Sequence, residues 1–267
     1  MTRIDECFAR LRASGRKALI PFITAGDPAL EATVPVMHAL VAAGADVLEL
    51  GVPFSDPMAD GPTIQRSSER ALGRGAGLRY VFDSVAAFRQ QDATTPVVLM
   101  GYLNPVEIRG AANFAAEAVA AGIDGVLLVD LPPEEAAETR AAFTAAGLAL
   151  VLLASPTSSE QRLAGLCEAA QGYLYYVSFA GVTGASERLD SAAASERLRL
   201  LRSRAKTPVV AGFGISDAAS AAAMAADADG VVVGSALVAK MAEAATVEDA
   251  VRNAAAFLVP LRQALDA

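Results

Sequence analysis

The chain has 267 residues, 54% of them hydrophobic, and a formal net charge of −8 at pH 7. That apolar content excludes an intrinsically disordered chain, and the acidic balance argues against non-specific binding to nucleic acid or to an anionic membrane surface. The length fits either two ordinary domains or one α/β barrel.

In chain order, the opening MTRIDECFARLRASG is charged and amphipathic, which predicts a helix over 4–13 and no signal peptide. β-branched runs then alternate with alanine-rich stretches. The pattern predicts strands at 19–24, 47–50, 97–100, 126–129, 150–153, 174–177, 209–211 and 231–233. Helices are expected at 31–43, 80–91, 111–121, 134–146, 159–170, 217–226 and 247–267. Ala43-Gly44-Ala45-Asp46, Ala121-Gly122-Ile123-Asp124 and Ala226-Asp227-Ala228-Asp229 each end a helix and enter a strand. Such an internal echo argues for one closed repeat architecture, and near-continuous apolar strands are covered on both faces. Gly212-Phe213-Gly214 lacks the third glycine of a dinucleotide fingerprint. The expectation is therefore an α/β fold, a single (β/α)8 TIM barrel spanning residues 1–267, with an extra N-terminal helix capping the barrel bottom.

Several chemistries drop out. The longest apolar run, 145–154, is ten residues and cannot span a bilayer, so a cytoplasmic protein is expected. Cys7 and Cys167 have no metal-ligand spacing and read as buried, reduced thiols. His38 is the only histidine and lies inside a helix, so neither a zinc site nor a Ser-His triad is expected. Lys17 and Lys206 precede strands one and seven, at the barrel bottom, where neither suits a Schiff-base aldolase. Carbon–carbon chemistry would have to run on carboxylates.

Active sites of such barrels lie at the C-terminal strand ends. Strand two ends in Glu49, which shares a face with Val47 by two-residue alternation. A carboxylate on the inner face is costly unless paired or used. It is workable at the wet mouth of the barrel, either as a functional group or paired with an arginine. Asp60 follows in a loop stiffened by Pro53, Pro57 and Pro62; Asp-Gly is also a common turn pair. Asp56 reads as a turn residue. Asp130, after strand four, either starts the next helix or holds a neighbour. Gly212-Phe213-Gly214-Ile215-Ser216 and Gly234-Ser235-Ala236 end strands seven and eight, where barrels of this kind commonly bind phosphate with backbone amides and a helix N-terminus. No Lys or Arg occurs from Val209 to Ala239, so such a site would use amides and Ser235. Relief of crowding at strand ends is the other reading of these glycines.

The runs from Pro21 to Pro28, Glu49 to Pro57, Ala59 to Gln65 and Met100 to Pro105 form a distinctive set. With Gly181-Val182-Thr183-Gly184 and the two late glycine clusters, it resembles the tryptophan synthase alpha subunit family over essentially the whole chain. The resemblance implies reversible retro-aldol cleavage of indole-3-glycerol phosphate to indole and glyceraldehyde 3-phosphate. It also implies a beta subunit partner in an alpha2beta2 tetramer, which receives the indole and carries the pyridoxal phosphate, with no cofactor in this chain. By resemblance Glu49 is the general acid/base and Asp60 stabilises the cation at the ring nitrogen. Phe22, Ile64, Met100, Leu127 and Phe213 form the ring slot, with Tyr175 beside Glu49; plain core packing is the other reading of all six. Gly184, Gly214, Gly234 and Ser235 take the phosphate. The loops 53–63 and 179–189 serve as lid and partner contact, with Thr183 reaching Asp60, and the loop with Asn104-Pro105 belongs to the partner face. Sister barrels (indole-3-glycerol-phosphate synthase, phosphoribosylanthranilate isomerase) would bring a lysine or a Cys/Asp pair to a strand end, and neither is seen. A free-standing indole-3-glycerol-phosphate lyase and a non-catalytic barrel that activates a partner are the alternatives; intact Glu49 and Asp60 speak against the second.

Overall fold

The computed structural model describes residues 1–177, 191–212 and 214–267, with the side chains of 191 and 192 left out. Eight parallel strands close into a barrel in chain order: β1 Ala18–Thr24, β2 Leu48–Gly51, β3 Val97–Gly101, β4 Gly125–Leu128, β5 Ala149–Ala154, β6 Leu174–Val177, β7 Val209–Gly212 and β8 Gly230–Val233. All eight expected strands form, with ends shifted by no more than a residue or so. The helices among the described residues are α1 Arg3–Ala13, α2 Thr33–Ala42, α3 Pro62–Gly73, α4 Leu78–Arg89, α5 Asn104–Arg109, α6 Ala111–Ala121, α7 Ala137–Ala146, α8 Glu160–Ala169, α9 Ser191–Arg204, α10 Ala218–Ala225, α11 Ser235–Ala242 and α12 Val247–Asp266.

Sequence patterning missed α3, α5, α9 and α11. The reason is clearest for α3, which begins at Pro62, inside the stretch read as a loop, and buries Ile64, Ser67, Ser68 and Ala71. That face is too small and polar to register as an apolar stripe. Its contact with β1 is a hydroxyl pair, Thr24 to Ser67 at 2.6 Å.

The two-residue alternation of the strands sorts the core into two clusters. Ile20, Phe22, Val47, Val98, Leu127, Val151, Tyr173, Tyr175, Val210 and Val232 fill the barrel interior. Leu19, Ile23, Leu48, Leu50, Leu99 and their counterparts face the helices. Helix α1 closes the bottom: Ile4, Cys7, Phe8 and Leu11 join the interior cluster, and the Phe8 ring lies 5.9 Å from that of Tyr173. Each large apolar side chain buried this way contributes about 1.5–3 kcal/mol. Cys7 and Cys167 are buried and unpaired. His38 packs at 4.7 Å on the Phe88 ring, as a packing residue.

The echoed aspartates fix the register from below. Asp46, Asp124 and Asp229 each donate their backbone N–H to the first carbonyls of the preceding strand, at Leu19, Val97 and Val209. Each returns a carboxylate oxygen to the N–H of that same residue, at 2.9, 2.8 and 2.9 Å. Gln171 does the same for Leu150, its Oε1 3.0 Å from the amide. Every odd–even strand pair thus carries one such clamp. Arginines face the three charged ones: Arg262 for Asp46, Arg89 and Arg3 for Asp124, Arg202 for Asp229. A barrel pinned at the bottom leaves its upper strand ends free to carry chemistry.

Candidate active site

Glu49 lies in β2, paired in register with Phe22 of β1 and Val98 of β3. It is 0% exposed. This corrects the sequence expectation of a wet position at the mouth: Glu49 sits one pleat, about 7 Å, below Gly51. Among the described residues it is not paired with an arginine either. Tyr173 donates a hydrogen bond to its Oε1 at 2.6 Å, and its Oε2 is buried with no partner among the described residues. Burial pushes the Glu49 carboxyl up to about 7, and the Tyr173 hydrogen bond pulls the other way. Burial first, and then the nearby carboxylate, hold the Tyr173 and Tyr175 phenols well above their ordinary range, so both remain protonated. Tyr175 lies against β7, where a Cβ at Gly212 would stand 1.9 Å from its hydroxyl oxygen. Only glycine leaves that space.

Tyr173 was not singled out from the sequence. The signal was present: Tyr173 and Tyr175 are two apart and therefore share a face. What the sequence could not show is that this face meets Glu49 across the barrel.

Asp60 hangs in the loop between β2 and α3. Its backbone N–H donates to Pro57 O at 3.0 Å, and the Gln65 side chain donates to its carbonyl at 2.8 Å. The side chain is held by Tyr102, whose hydroxyl donates to Oδ2 at 3.0 Å and accepts the Ala59 N–H at 3.1 Å. Burial pushes the Asp60 carboxyl up to about 6, with the Tyr102 hydrogen bond opposing. The start of α3 two residues on favours the ionised form.

Asp60 lines a cleft with Phe22, Gly51, Ile64, Met100 and Tyr102. Phe22, Ile64 and Met100 thus fall beside Asp60, and Leu127, paired in register with Met100, and Tyr175 share the interior cluster with them. Phe213, Thr183, Gly184 and the expected lid 179–189 lie outside the described residues. Gly214 is exposed, with φ +70°, a conformation costly for other residues. Gly234 is the N-cap of α11 and Ser235 its first residue, with no side-chain cap among the described residues. Helix geometry leaves the first N–H groups of α11 without intrahelical acceptors. Asp56 accepts from its neighbour Ser55 at 2.5 Å, as a turn residue does. Asp130 holds a neighbour, accepting the Leu103 N–H at 2.8 Å. The lysines are engaged elsewhere: Lys17 with Ala228 O, Lys206 with Glu168 and Lys240 with Glu243.

A carboxyl buried inside the barrel and a second one lining the cleft at the C-terminal strand ends, both with proton affinity raised by burial, give this (β/α)8 barrel two groups capable of acid–base work at that end. Comparison with known proteins makes this specific. Residues 8–265 match the family model described as tryptophan synthase alpha chain, and the chain belongs to that family. It is 79% identical over 266 residues to the tryptophan synthase alpha chain of Xanthomonas euvesicatoria pv. vesicatoria, covering 100% of this chain and 99% of the relative. The crystal structure of tryptophan synthase subunit alpha from Legionella pneumophila superposes with a TM-score of 0.93 at 46% identity, over 100% of this chain and 99% of that one. A chain of the tryptophan synthase complex from Pyrococcus furiosus superposes with a TM-score of 0.84 at 38% identity, over 92% and 98%.

Proposed function

We infer that this chain cleaves indole-3-glycerol phosphate reversibly to indole and glyceraldehyde 3-phosphate, as a carbon–carbon lyase of tryptophan biosynthesis. The bond between the indole ring and the glycerol chain breaks once ring carbon C3 is protonated. Protonated Glu49 supplies that proton, and the positive charge spreads to the ring nitrogen, where the Asp60 carboxylate stabilises it. Glu49, now a carboxylate, takes the proton from the glycerol hydroxyl. The carbonyl of the aldehyde forms, the carbon–carbon bond breaks, and its electron pair restores the aromatic ring. One group must begin protonated and the other ionised, and two carboxyls in differing environments can divide the tasks so. What supports this reading is that Asp60 lines the cleft and Glu49 lies buried two residues before Gly51 of its wall, paired in register with Phe22 of the same wall; burial pushes both carboxyls up, Glu49 to about 7 and Asp60 to about 6.

Phe22, Ile64 and Met100 support a ring slot beside Asp60. Leu127, Tyr175 and Phe213 are assigned to its floor and rim, and Thr183 to the closed lid. Gly184, Gly214, Gly234 and Ser235 are assigned to the phosphate, which suits the uncapped N-terminus of α11. The partner is a beta subunit in an alpha2beta2 assembly, in keeping with the Pyrococcus furiosus complex. Pyridoxal phosphate is assigned to that partner, since the lysines here are engaged away from the cleft. The whole chain acts as one barrel domain, in the cytoplasm; no helix among the described residues is long and apolar enough to cross a membrane. The direct test is to incubate the purified chain with indole-3-glycerol phosphate, alone and with a beta subunit, and to measure both products. Equimolar indole and triose phosphate are expected in both cases. No cleavage in either would remove the lyase reading and leave a barrel that only docks.

A further inference from the structure

Outside Glu49 and Asp60, the polar group most completely committed to the cleft is the hydroxyl of Tyr102. The side chain is 5% exposed and stands just beyond β3, on a different element from Asp60. It binds the β2–α3 loop in two places. Its ring stacks on Phe54, centroids 4.9 Å apart and planes 21° apart, near the start of the loop. Its hydroxyl meets Ala59 and Asp60 at the far end. The Ala59 N–H donates into the hydroxyl oxygen, so the hydroxyl proton is left to point at Asp60. Burial and the Asp60 carboxylate both raise the phenol far above neutral pH, so it acts as a donor throughout.

We propose that Tyr102 is the positioning residue for Asp60: its amide-anchored hydroxyl fixes the carboxylate over the cleft, and its ring ties that carboxylate to the Phe54 end of the loop. This rests on the lyase reading above. The hydrogen bond also opposes the effect of burial on Asp60. Among the described residues the other charged group acting on Tyr102 is Asp130, from the segment after β4, and it too favours the protonated phenol.

The test is Tyr102→Phe, which keeps the ring stack and removes the hydroxyl alone. Without the donor, Asp60 holds its proton to higher pH. The ionised fraction falls most at low pH, so the acid limb of kcat/KM moves upward while the basic limb stays. A loss of about tenfold near pH 6, shrinking to less than about threefold near pH 8, is expected. KM should change little, and unfolding temperature should stay within a few degrees. A uniform loss at every pH, or an unchanged profile, would overturn the proposal. A second arm separates positioning from direct contact with substrate: in an Asp60→Asn background, Tyr102→Phe should add nothing further. An additional tenfold loss there would make Tyr102 act on the substrate itself and end the positioning role. A carbon-13 NMR titration of the Asp60 carboxyl, identified by its absence in Asp60→Asn, reads the same shift without turnover. If wild-type chain released no indole, the lyase reading would fall, and the NMR titration would still decide whether Tyr102 governs Asp60.

Discussion

Glu49 and Asp60 differ in what holds them, and in the proposed mechanism that difference sets their tasks. Glu49 has one phenol hydrogen-bonded to it and an interior of aliphatic and aromatic side chains around it; Asp60 has a phenol, a helix start and a partly open cleft. Burial raises both, to about 7 and about 6. The productive state of the proposed mechanism needs Glu49 protonated and Asp60 ionised. Activity should therefore fall as pH drops through about 6, when Asp60 gains a proton, and as it rises through about 7, when Glu49 loses one. A narrow bell in kcat/KM for indole release is the expected profile. A plateau from about pH 5 to about pH 8 would contradict the assignment. Glu49 was legible in the sequence because a charge on an inward-facing strand position stands out locally, and Asp60 because it sits in a loop stiffened by Pro53, Pro57 and Pro62 within the run that carries the family resemblance. Tyr173 and Tyr102 were not, because each matters through a neighbour on another element, Glu49 on β2 and Asp60 in the loop after it, and which elements meet is invisible in a single chain. For the same reason the sequence put Glu49 in water, one pleat too high.

At the level of elements, the barrel is held by its four bottom clamps. Asp124 accepts the buried Val97 N–H and pairs with Arg89 and Arg3. Removing its carboxylate strands a buried amide and leaves the nearly buried Arg89 guanidinium on the carbonyls of Gly122, Asp92 and Thr95 without its counter-charge, so Asp124→Ala should cost about 3–5 kcal/mol. Gln171 forms a neutral version of the same clamp, and Gln171→Ala should cost about 1–2 kcal/mol. Urea unfolding of the two variants checks the order; equal costs would mean that the ion pairs add nothing to the clamp. The echo of Asp46, Asp124 and Asp229 announced these sites as strand entries. The fourth clamp was hidden because Gln171 breaks the residue pattern while keeping its geometry. Helix α3 was hidden for a related reason: its buried face carries Ser67 and Ser68, and its partner Thr24 meets it by hydrogen bond.

Across the whole molecule, the strand ends gather the chemistry at one face, and that face also carries exposed apolar side chains. Met58 is 81% and Ile108 79% exposed, on the segments that follow β2 and β3. Exposed residues of this size beside a catalytic end suit a partner surface, and Ile108 lies in the same short helix as Asn104 and Pro105. Ile108→Glu should weaken stimulation by a beta subunit by about tenfold or more in half-saturating concentration, leaving indole release by the isolated chain unchanged. Titrating the beta subunit into an indole assay measures this; an unchanged half-saturation point would move the partner face elsewhere. Closure of eight strands was readable because the βα rhythm never breaks and no linker interrupts it. Which residues of that face meet a partner was not, since exposure is a property of the folded surface.

The claim on which all of this turns is that Glu49 moves the protons. Glu49→Gln keeps the shape and the hydrogen bond from Tyr173 but cannot donate or accept the reacting proton. Single-turnover release of indole from indole-3-glycerol phosphate should drop by at least about a thousandfold, with substrate binding, read by calorimetry, within a few-fold of wild type. Turnover within about tenfold of wild type, with binding intact, would contradict the account.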